Sequence, residues 1–364
     1  MNAAPMRILI MAGGTGGHVF PALAVAEKLR AAGAAVVWMG TRRGLEAQVV
    51  PEAGLPMEWV RVSGLRGKGW GRRLAAPFML AFAAVQAGAV IGRVRPRAVL
   101  GMGGFVTGPG GLMAWVLRRP LLLHEQNSVA GLTNRLLAPL ASQLMEAFPG
   151  AFPAARRPLL TGNPVRETIA ALPAPQSRFA ARSGALRILV VGGSLGAKVL
   201  NETVPAAIAR MAAEHRPTVW HQCGSRHLEA ARGAYEAAGV DARVEPFIAD
   251  MAEAYGWADL VVCRAGALTV AELAAAGVGA ILVPYPHAVD DHQTANARYL
   301  AEAGAALLVP QSQLSDERLA SLLAAHRDRK ALAAMADRAR GLARPDAAER
   351  VAELCLARAR EGRS

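Results

Sequence analysis

Arg187-Ile188-Leu189-Val190-Val191-Gly192-Gly193-Ser194-Leu195-Gly196-Ala197 decides the architecture, because the chain has already done the same thing once. Near its start, Arg7-Ile8-Leu9-Ile10-Met11 runs into Ala12-Gly13-Gly14-Thr15-Gly16-Gly17-His18. Each stretch reads as an apolar strand of a parallel sheet, then a Gly-Gly turn, a small polar residue and a helix. An architecture that restarts half-way along predicts two similar βαβ domains facing each other. Further strands are expected at 35–39, 97–102 and 120–124 in the first half. In the second half they are expected at 218–223, 243–247, 260–263 and 280–283. The first helix is expected over 22–32, stopped by Gly33, and the chain from Ser315 onward reads as amphipathic helix with an Arg-studded tail.

At 364 residues, with 53 % apolar and 5 % aromatic content, the chain is long enough for two domains with Ala/Leu/Val cores. Its three cysteines (Cys223, Cys263, Cys355) form no ligand spacing, which argues against structural zinc and disulfides and suits a reducing cytoplasm. The start shows no signal-peptide pattern. The formal charge of +13 comes almost wholly from arginine, since lysine occurs only at positions 28, 68, 198 and 330. Part of that is compositional bias; the remainder favours an anionic partner, either a nucleotide, an anionic membrane or nucleic acid. Nucleic acid ranks last, because zinc-finger spacing, RNP-like aromatics and a basic coiled-coil region are all missing from the sequence.

Several stretches carry chemistry. After the 260–263 strand the chain turns through Ala265-Gly266-Ala267 and starts a helix near Leu268. Such a turn aims unsatisfied N–H groups and the positive helix end at one point, where phosphate is a natural ligand. Glu272, one turn in, suits neighbouring ribose hydroxyls, or else merely complements the helix dipole. The glycines at 13, 14, 16 and 17 let the backbone approach something bulky, or let two elements pack tightly. Their spacing is not the G-x-G-x-x-G of dinucleotide sites, which weakens a nicotinamide reading. A second glycine loop spans 103–111, and His124-Glu125-Gln126-Asn127 falls at a strand's C-terminal end, where open α/β sheets place ligands. Residues 159–166 read as a crossover and Leu172-Pro173-Ala174-Pro175 as a loop.

A basic, glycine-rich loop at 63–73 precedes an uncharged stretch at 74–92. That length reaches the transmembrane threshold, but the segment is Ala-rich and holds Pro77, Gln86 and Gly88. It reads as a buried helix, or as one partly exposed and resting on a bilayer beside the basic loop.

The motifs gain force as a set. Gly13 to His18, Gly103-Gly104-Phe105-Val106-Thr107-Gly108-Pro109, His124 to Asn127, Gly162-Asn163-Pro164-Val165-Arg166, Gly192 to Ala197, Cys263 to Glu272, and Asp291-His292-Gln293 with Asn296 run in order across almost the whole chain. In this order they resemble the MurG family, bacterial UDP-N-acetylglucosamine transferases of peptidoglycan synthesis. The resemblance implies an α/β fold of the GT-B type, two facing Rossmann-like domains with an active site in the interdomain cleft. Residues 1–163 would hold the lipid acceptor and meet the membrane, 164–342 would bind UDP-GlcNAc, and a helix at about 343–364 would cross back onto the first domain. The implied reaction is inverting transfer of GlcNAc from UDP-GlcNAc to the C4 hydroxyl of the muramyl sugar of lipid I, forming lipid II. The implied place is the cytoplasmic face of the inner membrane, on its anionic surface, as a peripheral protein with no cofactor and no nucleic-acid partner.

The resemblance also implies roles. Leaving UDP gains negative charge as the sugar gains oxocarbenium character. Ser194, Arg166 and the helix start at Ala267, Leu268, Thr269, Val270 and Ala271 could stabilise the diphosphate electrostatically. The sequence has no Asp-x-Asp pair, so a metal-dependent grip on UDP has no obvious ligands. Glu272 would take the ribose, the backbone of Ile248 the uracil, and His292 with Gln293 the GlcNAc hydroxyls. Thr15, Gly16 and Gly17 would line the substrate site. His18 leads as general base, with Glu125 and Asn127 as rivals or helpers; the alternative for His18 is a structural cap of its loop. Arg166 could instead be a linker ion pair and Ser194 a helix N-cap. Where relatives often carry Ser, this chain has Ala265, and His292 stands where some have Gln. The competing readings are a sibling GT-B enzyme with another lipid or sugar, a UDP-sugar epimerase, a non-catalytic UDP-sugar sensor and an NAD-dependent oxidoreductase.

Overall fold

The computed structural model describes residues 5–62, 70–193 and 195–361; Ser194 and most of the basic loop, residues 63–69, lie outside the described residues. By contacts the chain divides into Met1–Arg166 with Asp346–Ser364, and Glu167–Pro345.

Alternation along β1 (Arg7–Met11) organises the first unit. Ile8 and Ile10 face one side of the sheet and Leu9 and Met11 the other, all fully buried. A strand apolar on both faces requires a layer of helices on each. On one face, the helix Gly16–Ala31 and the last helix, Ala347–Glu361, supply Val19, Val25, Val351 and Cys355 to the core. On the other, the helix Trp70–Val94 contributes Ala83, Ala87, Val90 and Ile91. The remaining strands are β2 (Ala35–Gly40), β3 (Met57–Trp59), β4 (Ala98–Gly101), β5 (Leu121–Glu125), β6 (Gln143–Glu146) and β7 (Leu159–Leu160). They pair in the order β3-β2-β1-β4-β5-β6-β7, every described pairing parallel.

The second unit repeats the plan with β8 (Arg187–Val191), β9 (Thr218–Gln222), β10 (Ala242–Glu245), β11 (Leu260–Cys263), β12 (Gly279–Leu282) and β13 (Ala306–Leu308). Its order, β10-β9-β8-β11-β12-β13, is again parallel throughout the described strands. In each sheet the strand order reverses once, between β1 and β4 and between β8 and β11. At such a reversal the loops leaving the two strands diverge and open a crevice, the usual ligand position of an open α/β sheet.

Two expectations need amending. The first helix starts at Gly16, well before the expected residue 22, and runs through Pro21. Glycine and proline read as breakers, yet the only backbone bond Pro21 forfeits is the one to the Gly17 carbonyl. The short strands β3, β6 and β13 were not expected, because three or four residues cannot display a period. The apolar stretch after the basic loop does form one long helix, and its 18-residue segment Pro77–Val94 is apolar enough to pass a transmembrane criterion. One flank of that helix is nevertheless committed to the sheet, while Phe78, Phe82 and Val85, spaced i, i+4, i+7, are exposed on another.

Candidate active site

At the reversal of the first unit, two glycine loops touch through their backbones. Gly104 has φ +85°, and a Cβ there would lie 2.4 Å from the Gly13 carbonyl oxygen. Gly103, at φ +99°, would drive a Cβ to 2.5 Å from the His18 ring. Both positions therefore demand glycine, for conformation and for space. The buried carboxylate of Glu46 fixes the first loop from behind. It accepts from Gly14 N–H at 2.9 Å, and from the backbone and hydroxyl of Thr41 at 3.0 and 2.7 Å. Trp38 Nε1 donates to the Ala12 carbonyl at 2.9 Å, and Thr107 Oγ1 to that of Gly103 at 2.9 Å. Thr15 then caps the first helix with extended backbone, and Gly16 and Gly17 present the helix's first N–H groups.

His18 sits half-buried in the first turn of that helix, with Nδ1 2.8 Å from Gln126 Oε1. Behind Gln126 lies His124, fully buried at the end of β5, whose Nε2 is 2.9 Å from the Gly162 carbonyl. Burial pulls the His124 pKa from 6.5 down to about 4, so this ring is neutral at physiological pH.

Glu125 is 2 % exposed, and both its oxygens are engaged. They accept from Asn127 N–H (3.0 Å) and Nδ2 (3.3 Å), Gly131 N–H (3.0 Å) and Asn134 Nδ2 (2.8 Å). Such a carboxylate organises the loop that carries Asn127. Arg166 belongs by contacts to the first unit, where its guanidinium lies 5.8 Å from the Phe20 ring centroid; the expected division at 163/164 had put it in the second.

At the reversal of the second unit, the helix Ala267–Ala276 begins from Gly266 in extended backbone, and its first internal bond is Val270 N–H to the Gly266 carbonyl. The first turn, Ala267-Leu268-Thr269-Val270, contains no carboxylate to neutralise the positive end. Glu272, 5 % exposed, accepts from the Tyr255 hydroxyl at 3.1 Å. Asn296 Nδ2 donates to the Ala265 carbonyl at 3.2 Å and steadies the turn, and Arg264 clamps the carbonyls of Val283 and Pro284 at 3.1 and 3.2 Å. Gln293 Oε1 accepts from Tyr285 N–H at 2.9 Å, and His292 Nδ1 donates to the Val289 carbonyl at 2.6 Å. Just ahead of them Asp290 and Asp291 both hold left-handed backbone, at φ 54° and 49°. Strain of that kind gathers at functional loops. Ile248 is buried beside the exposed Phe247.

Two family descriptions match this chain: the glycosyltransferase family 28 N-terminal domain over residues 8–145, and the corresponding C-terminal domain over 187–351. The chain belongs to glycosyltransferase family 28. A Nitrosococcus oceani relative is 62 % identical over 96 % of this chain and 98 % of its own length. One from Marinobacter nauticus is 57 % identical over 96 % and 97 %. Both are named UDP-N-acetylglucosamine--N-acetylmuramyl-(pentapeptide) pyrophosphoryl-undecaprenol N-acetylglucosamine transferase. Among solved structures, MurG of Acinetobacter baumannii superposes with a TM-score of 0.83 at 43 % identity, covering 97 % of this chain and all of that one. The two Rossmann-like units are thus those of a GT-B glycosyltransferase, as the motif order implied.

Within this family 28 chain, the structure gathers Thr15, Gly16, Gly17, His18, Glu125 and Asn127 at the carboxyl ends of β1, β4 and β5. It gathers Ala267 to Glu272 at the matching place of the second unit. Sequence reasoning missed Glu46, Tyr255 and a role for Gln126; only Gln126 left a trace, as a member of the His124–Asn127 motif.

The buried histidines give the stability of this enzyme a pH dependence. His124 and His221, the latter pulled to about 3 by burial, stay neutral in the fold. In the unfolded chain each takes up a proton as pH falls through about 6.5. Their contribution is therefore complete above the unfolded pKa and is lost as pH falls toward the folded values. The thermal midpoint is expected to fall progressively from about pH 6.5 to about pH 4, and His221→Asn, tested by the same scan, to shrink that fall.

Proposed function

We propose that this chain transfers GlcNAc from UDP-GlcNAc to the C4 hydroxyl of the muramyl sugar in lipid I, forming lipid II with inversion. The observation that carries this reading is the near full-length identity with relatives named for that transfer, which spans both units. In the proposed step the C4 oxygen attacks the anomeric carbon from the face opposite UDP. The bond from that carbon to the phosphate oxygen breaks, its electron pair leaves with UDP, and the hydroxyl proton passes to His18 Nε2. The first unit takes the acceptor and the second the nucleotide sugar.

The charge on departing UDP falls to the N–H groups at Ala267, Leu268 and Thr269, with Arg166 and Ser194 as further proposed contacts. A preorganised helix end acts without a metal, and together with the missing Asp-x-Asp pair this supports metal-independent transfer. Glu272, steadied by the Tyr255 hydroxyl, is proposed to receive the ribose hydroxyls, and the Ile248 backbone the uracil. Gln293 and His292 are proposed for the GlcNAc hydroxyls. Because four donors occupy Glu125, the proton is assigned to His18, and Glu125 to holding Asn127 in place. Replacing His18 by Ala is expected to lower kcat for a lipid I analogue by about 10²–10⁴-fold, the usual worth of a general base. UDP-GlcNAc affinity by calorimetry should stay within about twofold of wild type. Full turnover in that variant would remove the base assignment.

Peripheral docking on an anionic inner leaflet is proposed for the exposed apolar residues of the helix Trp70–Val94, Phe78, Phe82 and Val85, with Trp115 at the end of the helix Thr107–Val116 and Arg118 and Arg119 just after it. Apolar insertion and basic side chains act together in such contacts, each near-surface cation adding about 1 kcal/mol. The double variant Phe78→Glu/Phe82→Glu should lose sedimentation with vesicles containing anionic phospholipid while keeping UDP-GlcNAc affinity. Undiminished sedimentation would rule this surface out.

A further inference from the structure

The hydrogen bonds behind His18 have a direction that can be worked out from one fixed end. The Gly162 carbonyl oxygen can only accept, so His124 Nε2, 2.9 Å away, carries the hydrogen. A neutral His124 then has a lone pair on Nδ1. The Gln126 atom 3.1 Å from that lone pair must be the amide nitrogen, which also reaches the His124 carbonyl at 3.3 Å. The amide oxygen therefore faces His18, and at 2.8 Å it can only accept from a hydrogen on His18 Nδ1. With the Nδ1 hydrogen accounted for, the lone pair of a neutral His18 lies on Nε2.

We propose that Gln126 is a positioning residue that holds His18 as the Nδ1–H tautomer, keeping Nε2 as the proton-accepting atom. This rests on the reading of His18 as the base. Its physical content is that a carbonyl at Gly162 dictates, through a neutral histidine and a buried amide, which imidazole nitrogen can work. Gln126 is 1 % exposed and spends its amide on these contacts, so it has no freedom to flip. A histidine free in water prefers the opposite tautomer, with the hydrogen on Nε2; without Gln126 the lone pair would move to Nδ1, the atom packed against Gly103. In other enzymes a wrong tautomer, with geometry otherwise kept, is known to be costly. The arrangement uses a neutral amide where a carboxylate would add charge, so the imidazolium formed during transfer gains orientation without a buried counter-ion.

The test is nitrogen NMR of the full-length protein labelled with ¹⁵N-histidine, the His18 ring being assigned from its disappearance in His18→Ala. Wild type is expected to show a protonated Nδ1 and an unprotonated Nε2 for neutral His18. Gln126→Met should move it to the Nε2–H form and cut kcat by about 10- to 100-fold, with UDP-GlcNAc affinity unchanged. Gln126→Glu, as the carboxylic acid, keeps an oxygen toward His18 and a hydroxyl donor toward His124 Nδ1, and should restore the Nδ1–H signature and most of the turnover. An Nε2–H signature in wild type, an unchanged tautomer in Gln126→Met, or a changed tautomer with unchanged kcat would each overturn the proposal. If instead His18→Ala itself turns over normally, the base assignment fails, while the ring signature still reports whether Gln126 sets the tautomer.

Discussion

The first unit depends on one close contact, the backbone of Gly104 against the carbonyl of Gly13. No side chain of any size fits between them, so the loops after β1 and β4 are locked at a fixed separation. Glu46 holds the outer end of the first loop by its Gly14 N–H, with a carboxylate that has no exposure at all. A buried carboxylate is tolerable only when its oxygens are occupied, and here Gly14 of the loop and Thr41 after β2 supply the donors. The consequence reaches the chemistry, because His18 follows directly from this loop and packs where Gly103 leaves room.

The two units share a topology and put it to different use. Each sheet reverses once, and each reversal opens beside the start of a helix. In the first unit the space is filled by an imidazole backed by a chain of oriented hydrogen bonds. In the second it is left to a helix N-terminus with small residues and no carboxylate in its first turn, an arrangement suited to phosphate. The proposed proton acceptance and anion stabilisation would thus be two outcomes of the same βα geometry, separated by the side chains at the turn.

Much of this was legible in the chain. The apolar runs 7–11, 187–191 and 260–263 coincide with β1, β8 and β11, because strands buried on both faces need unbroken hydrophobicity. The glycine loops announced themselves by composition, and their close packing was one of the two readings they allowed. What stayed hidden is non-local. Gln126 and His18 are 108 positions apart, and Glu46 and Gly14 are 32. No local pattern encodes such pairings. Edge strands of three residues and a helix that runs through a proline are decided by tertiary packing, which overrides propensity. Glu125 was readable as a polar group at a strand end, but its four donors were not, one of them Asn134, nine positions away on the next helix.

The proposed reaction is glycosyl transfer from UDP-GlcNAc to the lipid-linked muramyl sugar at a site proposed to need no metal. Its most direct measurement is UDP release in excess EDTA, with and without a lipid I analogue. Release is expected only when the acceptor is present, at the same rate with and without the chelator. Release without any acceptor, release that responds only to a different lipid, or abolition by EDTA would contradict it.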